Sequence, residues 1–438
     1  MKKFWIDCVI ATAFVFAVLG GLYGITTLAI FNAFDPLGKA LGDMEMTDIA
    51  FSQLREDPPL DTNIVIVNIG KLSRGEIGQQ ILTLNHFKPK VIALDIIFAC
   101  DGGFTDSISC PGLYDTLGNM IFGEAVRQAQ GRMVLAHKLW QTKKLVRELG
   151  DVQIYDSLEH TDDYLRQDAY EGFVNLDTDA ENQEDLKVCR ALNPTITVNG
   201  NPELAFSVRI AMLYDSVKTR RFLDRGNFLE AINYRGNIVD WYGASNFAGR
   251  YAVLDCEQAL DTSMFVGSMI KDKIVIMGFL GETLRDTSWD DKFITPLNKN
   301  YAGKTRPDMY GVVVHANAVS MILDEDYVDQ LAVWQQWAIA IIVCFLNVAL
   351  FSLIHLKIPK WFDALSIVLQ LVQILLFTFV MVYVFSLANF KLNLTITLAA
   401  LALVGTCYEI YESVVKTLFQ TIKRRRWITK RRKRVLTP

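Results

Sequence analysis

The sequence predicts an α/β extracytoplasmic domain with a largely parallel sheet, joined to four transmembrane α-helices. Three observations predict it. Uncharged runs occupy Cys8–Ala33, Gln330–Ile354, Ala364–Phe390 and Leu392–Tyr408. Lys and Arg gather at alternate ends of these runs. Between the first run and the second, short β-branched segments alternate with stretches of helical length. The expected organisation is a first transmembrane helix (1–33), the outer domain (34–330), transmembrane helices at 331–356, 361–390 and 391–419, and a basic tail (420–438).

The first three runs exceed the ~20 residues that cross a ~30 Å hydrocarbon layer. The fourth is slightly short, with Glu409 and Glu412 placed at the interface among Tyr408 and Tyr411. A buried core helix would explain any single run, but not three in succession with short connectors. The first run follows Lys2 and Lys3. It is longer than the ~7–15-residue apolar core of a signal peptide, so it reads as a retained anchor.

Orientation follows from the cations. Lys2 and Lys3 precede the first helix, and Lys357 and Lys360 follow the second. The tail holds nine more, including Arg424, Arg425, Arg426, Arg431 and Arg432. All three places fall on one side, the cytoplasm of a bacterial inner membrane. The outer domain is then periplasmic. The net charge of −4 includes those nine tail cations, so the rest of the chain is acidic and no nucleic acid is expected as a partner. The tail is expected on anionic headgroups, where each cation contributes ~1 kcal/mol.

Asp43–Asp57 reads as a helix leaving the membrane, ended by Pro58 and Pro59. Asn63–Ile69 and Val91–Phe98 read as strands buried on both faces, with the helix Ser73–Phe87 between them. Such a βαβ unit has a right-handed crossover. Leu117–Gln130 reads as a helix and Arg132–Lys138 as a strand. Thr142–Glu184 is polar and acidic and is expected to form loops and a hairpin. Glu203–Tyr214 reads as helical, and Phe228–Ile232 and Ile238–Trp241 bracket a turn. Ile274–Met277 is a buried strand, a glycine-containing loop follows, and Val312–Leu323 is an amphipathic run that closes the domain.

Seven cysteines are present. Cys100 and Cys110 flank a short loop in the outer domain, where disulfides persist, and are expected to pair. Cys189 with Cys256 is possible only by elimination. No CxxC pair or nearby His supports zinc, so neither a metal nor a cofactor is expected.

Taken in order, several segments carry a resemblance. They are MEMTDIAFSQLRED with Asp48 and Arg55, IVIVNI, and KVIALDIIF with Asp95 and Phe98. DTLGNMIFGEAVRQAQGRMVLA, EGFVNLDTD and INYRG follow, and the series closes on DKIVIMG and GVVVHAN. Asp43–Leu323 resembles the CHASE2 family of extracytoplasmic sensory domains. The membrane plan also resembles that of CHASE2 receptors, with one helix before the domain and three after it. Two departures stand out. Gly70 and SRGEIGQQ replace the Asp and the Trp-Pro-Trp-x-Arg-like segment frequent in the family. A cyclase or kinase domain usually follows the last helix, whereas this sequence reaches Pro438 soon after Tyr411.

Candidate ligand contacts are Asp95, Arg235, Asp286, His315 and Asn317. Asp95 lies near the carboxyl end of a strand, where open α/β sheets bind ligands, although a structural carboxylate at such a place is the commoner finding. Arg235 enters through the INYRG segment that fits the family. Asp286, with Asp290 and Asp291, forms an acidic loop that could hold a cation, though a solvated loop is the simpler reading. His315 could contact a ligand or sense pH, though hydrogen-bonded framework is the plainer role for it and Asn317. Backbone amides at Gly278–Gly281 could bind an anion. No Ser/His/Asp order, HExxH or glycosidase-like carboxylate pair stands out, so no enzyme is expected. The expected function is a membrane-anchored sensor that passes an outer signal to a separate membrane or cytoplasmic protein partner, with a homo-oligomer as a further option. The alternative is a scaffold subunit of an envelope complex without a small ligand.

Overall fold

The computed structural model describes residues 2–26, 48, 50–99, 114–141, 155–178, 187–239, 249–286, 288–298 and 306–418. The expected Cys100–Cys110 bridge and the basic tail lie outside them. The described cysteines, Cys189 and Cys256 among them, form no disulfide.

In chain order the helices are α1 (Lys2–Thr26), α2 (Arg74–His86), α3 (Thr116–Gln128), α4 (Phe206–Tyr214), α5 (Ser216–Asp224), α6 (Gly311–Asp324), α7 (Val333–Lys357), α8 (Phe362–Ala388) and α9 (Thr395–Ile410). The main sheet comprises β1 (Asp61–Asn68), β2 (Val91–Leu94), β3 (Met133–Trp140), β4 (Ser157–Glu159), β5 (Tyr170–Phe173), β6 (Asn237–Ile238), β7 (Gly249–Leu254) and β8 (Ile274–Gly278). The chain divides into two compact units, Phe51–Val328, and Met1–Ala50 with Asp329–Pro438.

In the Phe51–Val328 unit the strand order is β6-β7-β1-β8-β2-β3, all parallel. Beyond β3, β5 pairs parallel and β4 antiparallel. β1 is buried from Ile64 to Asn68, and β2 and β8 are buried throughout. Their continuous apolar runs suit a sheet covered on both faces. On one face α2 and α3 pack Ile77, Ile81, Leu84, Phe122 and Val126 against Val65, Val67, Ile92 and Leu135. Each such large apolar side chain contributes about 1.5–3 kcal/mol of burial. α2 begins with a capping box. Ser73 N–H donates to Glu76 Oε2 at 2.7 Å, and Glu76 N–H donates to Ser73 Oγ at 3.4 Å.

Several expected elements differ in the structure. The second strand stops at Leu94 rather than Phe98, because Phe98 N–H turns to the Thr161 hydroxyl at 3.1 Å. The stretch expected as loops supplies β5, a parallel strand of the main sheet. The helix expected from Glu203 starts at Phe206. Before it, Asn201–Leu204 pairs antiparallel with Thr195–Val198 around Asn199 (φ 49°) and Gly200 (φ 85°). Asn-Gly favours such positive-φ hairpin turns. The segments expected to bracket one turn belong to two sheets, because Glu230–Ala231 pairs with Cys189–Leu192 while β6 joins β7. β7, a buried strand beside β1, was not anticipated. α6 is buried from Gly311 to Leu323 rather than amphipathic, since it packs against both β1 and α4.

Gly278, at the end of β8, lets this strand approach α6. A Cβ added there would lie 2.7 Å from Val312 Cβ and 3.4 Å from Asp95 Cβ. Gly278→Ala is therefore expected to cost about 2 kcal/mol by overpacking. Urea unfolding of the purified chain checks this, and an unchanged midpoint would contradict the close approach.

Among the described residues of the other unit, four helices are long and apolar enough to cross a membrane, at Lys3–Gly24, Val333–Lys357, Pro359–Ala388 and Thr395–Leu418. α1, α7 and α9 share an apolar core around Val15, Val348, Phe351 and Val404. Of the polar residues in these helices, Gln370 of α8 donates to the main-chain oxygens of Leu401 (2.9 Å) and Ala402 (3.0 Å) in α9. Asn347 instead donates to Val343 O of its own helix at 3.0 Å, so it does not bridge helices through that amide. Asp329–Gln330, which leads into α7, pairs parallel with Phe390–Lys391, the turn between α8 and α9. Asp329 N–H donates to Asn389 O at 3.1 Å, and Leu331 N–H to Lys391 O at 3.3 Å.

Candidate functional site

The carboxyl ends of β1, β8 and β2 meet at one edge of the domain, where Asn68 ties the segments that follow β1, β7 and β8. Its Oδ1 accepts from Gly70 N–H and Leu280 N–H, both at 2.9 Å. Its Nδ2 donates to Asp255 Oδ1 at 2.9 Å and to Gly281 O at 3.1 Å. The Gly278–Gly281 loop, whose amides could face an anion, already commits the Leu280 amide to Asn68. Gly281 has φ 94°, in the left-handed region that glycine tolerates.

Asp95 follows β2 directly and stays in the ladder through its main-chain N–H to Met277 O at 2.8 Å. Burial, and then the negative charge of Asp291, push its carboxyl up to about 8. Burial likewise raises Asp291 to about 6, opposed by Lys187. The Asp291 carboxylate lies at the start of α6, beside Gly311. Both acids at this edge therefore hold protons more tightly than ordinary carboxyls, a property common in functional clefts. Asp286 does not join them. It accepts from Ser288 N–H at 2.8 Å and Glu282 N–H at 3.1 Å, and these bonds hold its carboxyl below the usual range.

Arg235 and Asn317 come together at a second place, where the domain's first and last segments meet. Asn317 Oδ1 accepts from Arg235 N–H at 2.9 Å, and its Nδ2 donates to Gly236 O and Val313 O, each at 2.9 Å. Arg235 pairs with Asp326 through its side chain. Arg55, near the start of the unit, donates to Asn233 Oδ1 at 2.6 Å and to Tyr234 O at 3.3 Å. Asn233 Nδ2 in turn donates to Asp326 O at 2.8 Å. Burial, then the neighbouring Arg235 charge, lower Arg55 to about 9, so it remains a cation at neutral pH. The turn Asn233–Gly236 therefore ties the incoming segment at Arg55 to the outgoing one at Asp326.

His315 lies apart from both places. Its ring meets Phe206 edge-on at 5.3 Å, and burial lowers it to about 4. It is neutral across pH 5–8 and does not titrate as a neutral-pH sensor. Sequence reasoning named Asp95, and placed Asp291 in the acidic loop with Asp286, but did not connect the two. It also passed over Asp308, which Thr295 and Asn298 surround and which burial raises to about 7. Nor did it single out His137, His160 and Glu171, whose nearness depends on the pairing of β5 with β3. A histidine inside the apolar strand RMVLAHK was the available signal. A cleft of about 730 Å³ along α3, lined by Thr116, Asn119, Met120, Arg127 and Tyr164, is large enough for a small molecule.

Compared with known proteins, the sequence matches one family, described as the CHASE2 domain, over residues 24–353. No curated protein matches, and no solved structure matches.

Proposed function

Because the chain belongs to the CHASE2 domain family, whose members are extracytoplasmic sensory domains, we propose that it is a membrane-anchored sensor passing an outer signal to a separate membrane or cytoplasmic partner. The observation that carries this reading is the Arg55–Asn233–Asp326 tie, with Arg235 bound to Asn317. A signal that shifts this turn changes the spacing of the two segments that lead to the helices. Sensing then becomes a two-state change in how α1 and α7 leave the domain. The protein carries out no reaction of its own in this reading. Its domain faces the periplasm and both termini face the cytoplasm, as the Lys and Arg distribution supports. The basic tail rests on anionic lipid.

Affinity purification of the full chain from native membranes in mild detergent tests the reading. A co-purifying membrane or cytoplasmic protein, reproducibly retained, is the expected result. Recovery of the chain alone under every mild condition removes the partner. A second reading, a scaffold subunit, draws support from the saturated hydrogen bonding of Asn68 at the carboxyl edge. Thermal-shift screening separates the two, because a sensor's ligand raises the melting temperature of the state that it binds.

A further inference from the structure

His137, His160 and Glu171 come from three separate segments. His137 is the fifth residue of β3, Glu171 is the second of β5, and His160 follows β4. Their potential ligand atoms all lie within 4.8 Å of one another. His160 Nδ1 and Glu171 Oε1 are 2.8 Å apart, and the rings of His137 and His160 are 5.2 Å apart. Glu203 adds a second carboxylate, its Oε2 3.9 Å from His137 Nε2.

The observation that separates this group from an ordinary salt-bridge network is His137. Its side chain is 0% exposed, and neither ring nitrogen has a hydrogen-bond partner among the described residues. Leaving a buried polar group unpaired costs about 1–3 kcal/mol. A hydrogen-bonded framework of Arg166, Glu171 and His160 explains those three side chains but leaves His137 unused. A metal ion uses the lone pair of its neutral imidazole directly. Arg166 donates to Glu171 Oε2 at 2.7 Å, leaving Oε1 turned toward His160. Arg209 donates to the main-chain oxygen of Glu171 at 2.9 Å. These partners orient the carboxylate in the way that outer contacts orient metal ligands.

We infer that His137, His160 and Glu171 form a binding site for a divalent transition-metal ion, with Glu203 or water as the fourth ligand. Two imidazoles and carboxylate oxygen suit zinc and its neighbours rather than calcium or magnesium, which take oxygen alone. Metal–ligand bonds of about 2.0–2.2 Å require a modest contraction of the group. Binding replaces the contact between His160 and Glu171, releases any proton held there, and fastens β3 to β5 and to the Asn201–Leu204 strand. The inference does not depend on the sensory reading.

The test uses the full chain in detergent, stripped with a chelator and titrated with Zn²⁺ and Co²⁺. The expected result is one Zn²⁺ per chain with a dissociation constant below ~1 μM, and Co²⁺ absorption of a four-coordinate nitrogen–oxygen site. His160→Ala, which alters a partly exposed side chain, is expected to weaken binding about 100-fold while the protein still melts cooperatively. Glu171→Gln is the second variant, should His160→Ala fail to fold. X-ray absorption of the bound zinc should show two imidazoles. Binding weaker than ~10 μM, binding unchanged in a folded variant, or a spectrum without imidazole overturns the site.

Discussion

Asn317→Ala is expected to destabilise the outer domain by about 3 kcal/mol, the larger part of it from main-chain groups left unpaired. Asn317 is only 1% exposed, and its amide satisfies Arg235 N–H, Gly236 O and Val313 O together. Alanine cannot replace any of these bonds, and the small side chain also leaves a void. Because the turn that it holds also carries Asn233 and Tyr234, the loss should extend to the Arg55 contacts. Thermal melting followed by tryptophan fluorescence measures the stability. Hydrogen exchange across Ile232–Asn237 measures the turn. A cost under ~1 kcal/mol with unchanged exchange would show that the turn holds its shape without this amide.

The second large effect depends on pH. Asp95 has a folded-state value of about 8 against 3.8 ordinarily. The folded protein thus keeps a proton that the unfolded chain gives up. The associated stability is fully present below about pH 4 and disappears as pH rises through 8. Asp291, raised to about 6, and Asp308, raised to about 7, act in the same direction. His315, lowered to about 4, acts oppositely, since its contribution is lost as pH falls from 6.5 toward 4. Asparagine mimics the protonated acid. After allowance for the partial exposure of Asp95, Asp95→Asn is expected to gain about 1–2 kcal/mol at pH 8.5 and little at pH 5. Urea unfolding of both proteins at the two values decides it. An equal difference at both would mean that Asp95 is ionised in the folded state.

What could be read from the sequence follows from where the determining forces lie. β1, β2, α2 and β8 were legible because their signals are local: unbroken apolar runs for the strands, and Ile77, Ile81 and Leu84 at helical spacing for α2. β5 was not, because its YEGF segment holds its place by close approach rather than by apolar pattern. A Cβ on Gly172 would lie 2.6 Å from Phe206 Cα. The Asn199–Gly200 turn carried a local signal that the helical reading of Glu203–Tyr214 overrode. At the candidate sites, Asp95 could be placed by its position at a strand end, and Arg235 and Asn317 were both named. Their bond, and the reach of Arg55 across 178 residues to Asn233, depend on tertiary structure that no short window contains. The same holds for His137, His160 and Glu171, which become neighbours only once β3 and β5 pair.

The short pairing of Asp329–Gln330 with Phe390–Lys391 carries a consequence for heredity. Main-chain bonds run from Asp329 N–H to Asn389 O and from Leu331 N–H to Lys391 O. Every amino acid but proline supplies that donor. Substitutions at Leu331 other than proline therefore keep this donor, whereas Asn389, at φ 50°, holds a left-handed conformation that few residues adopt. Leu331→Pro removes one of the pairing's donors, so this one substitution loosens the start of α7 from the turn between α8 and α9.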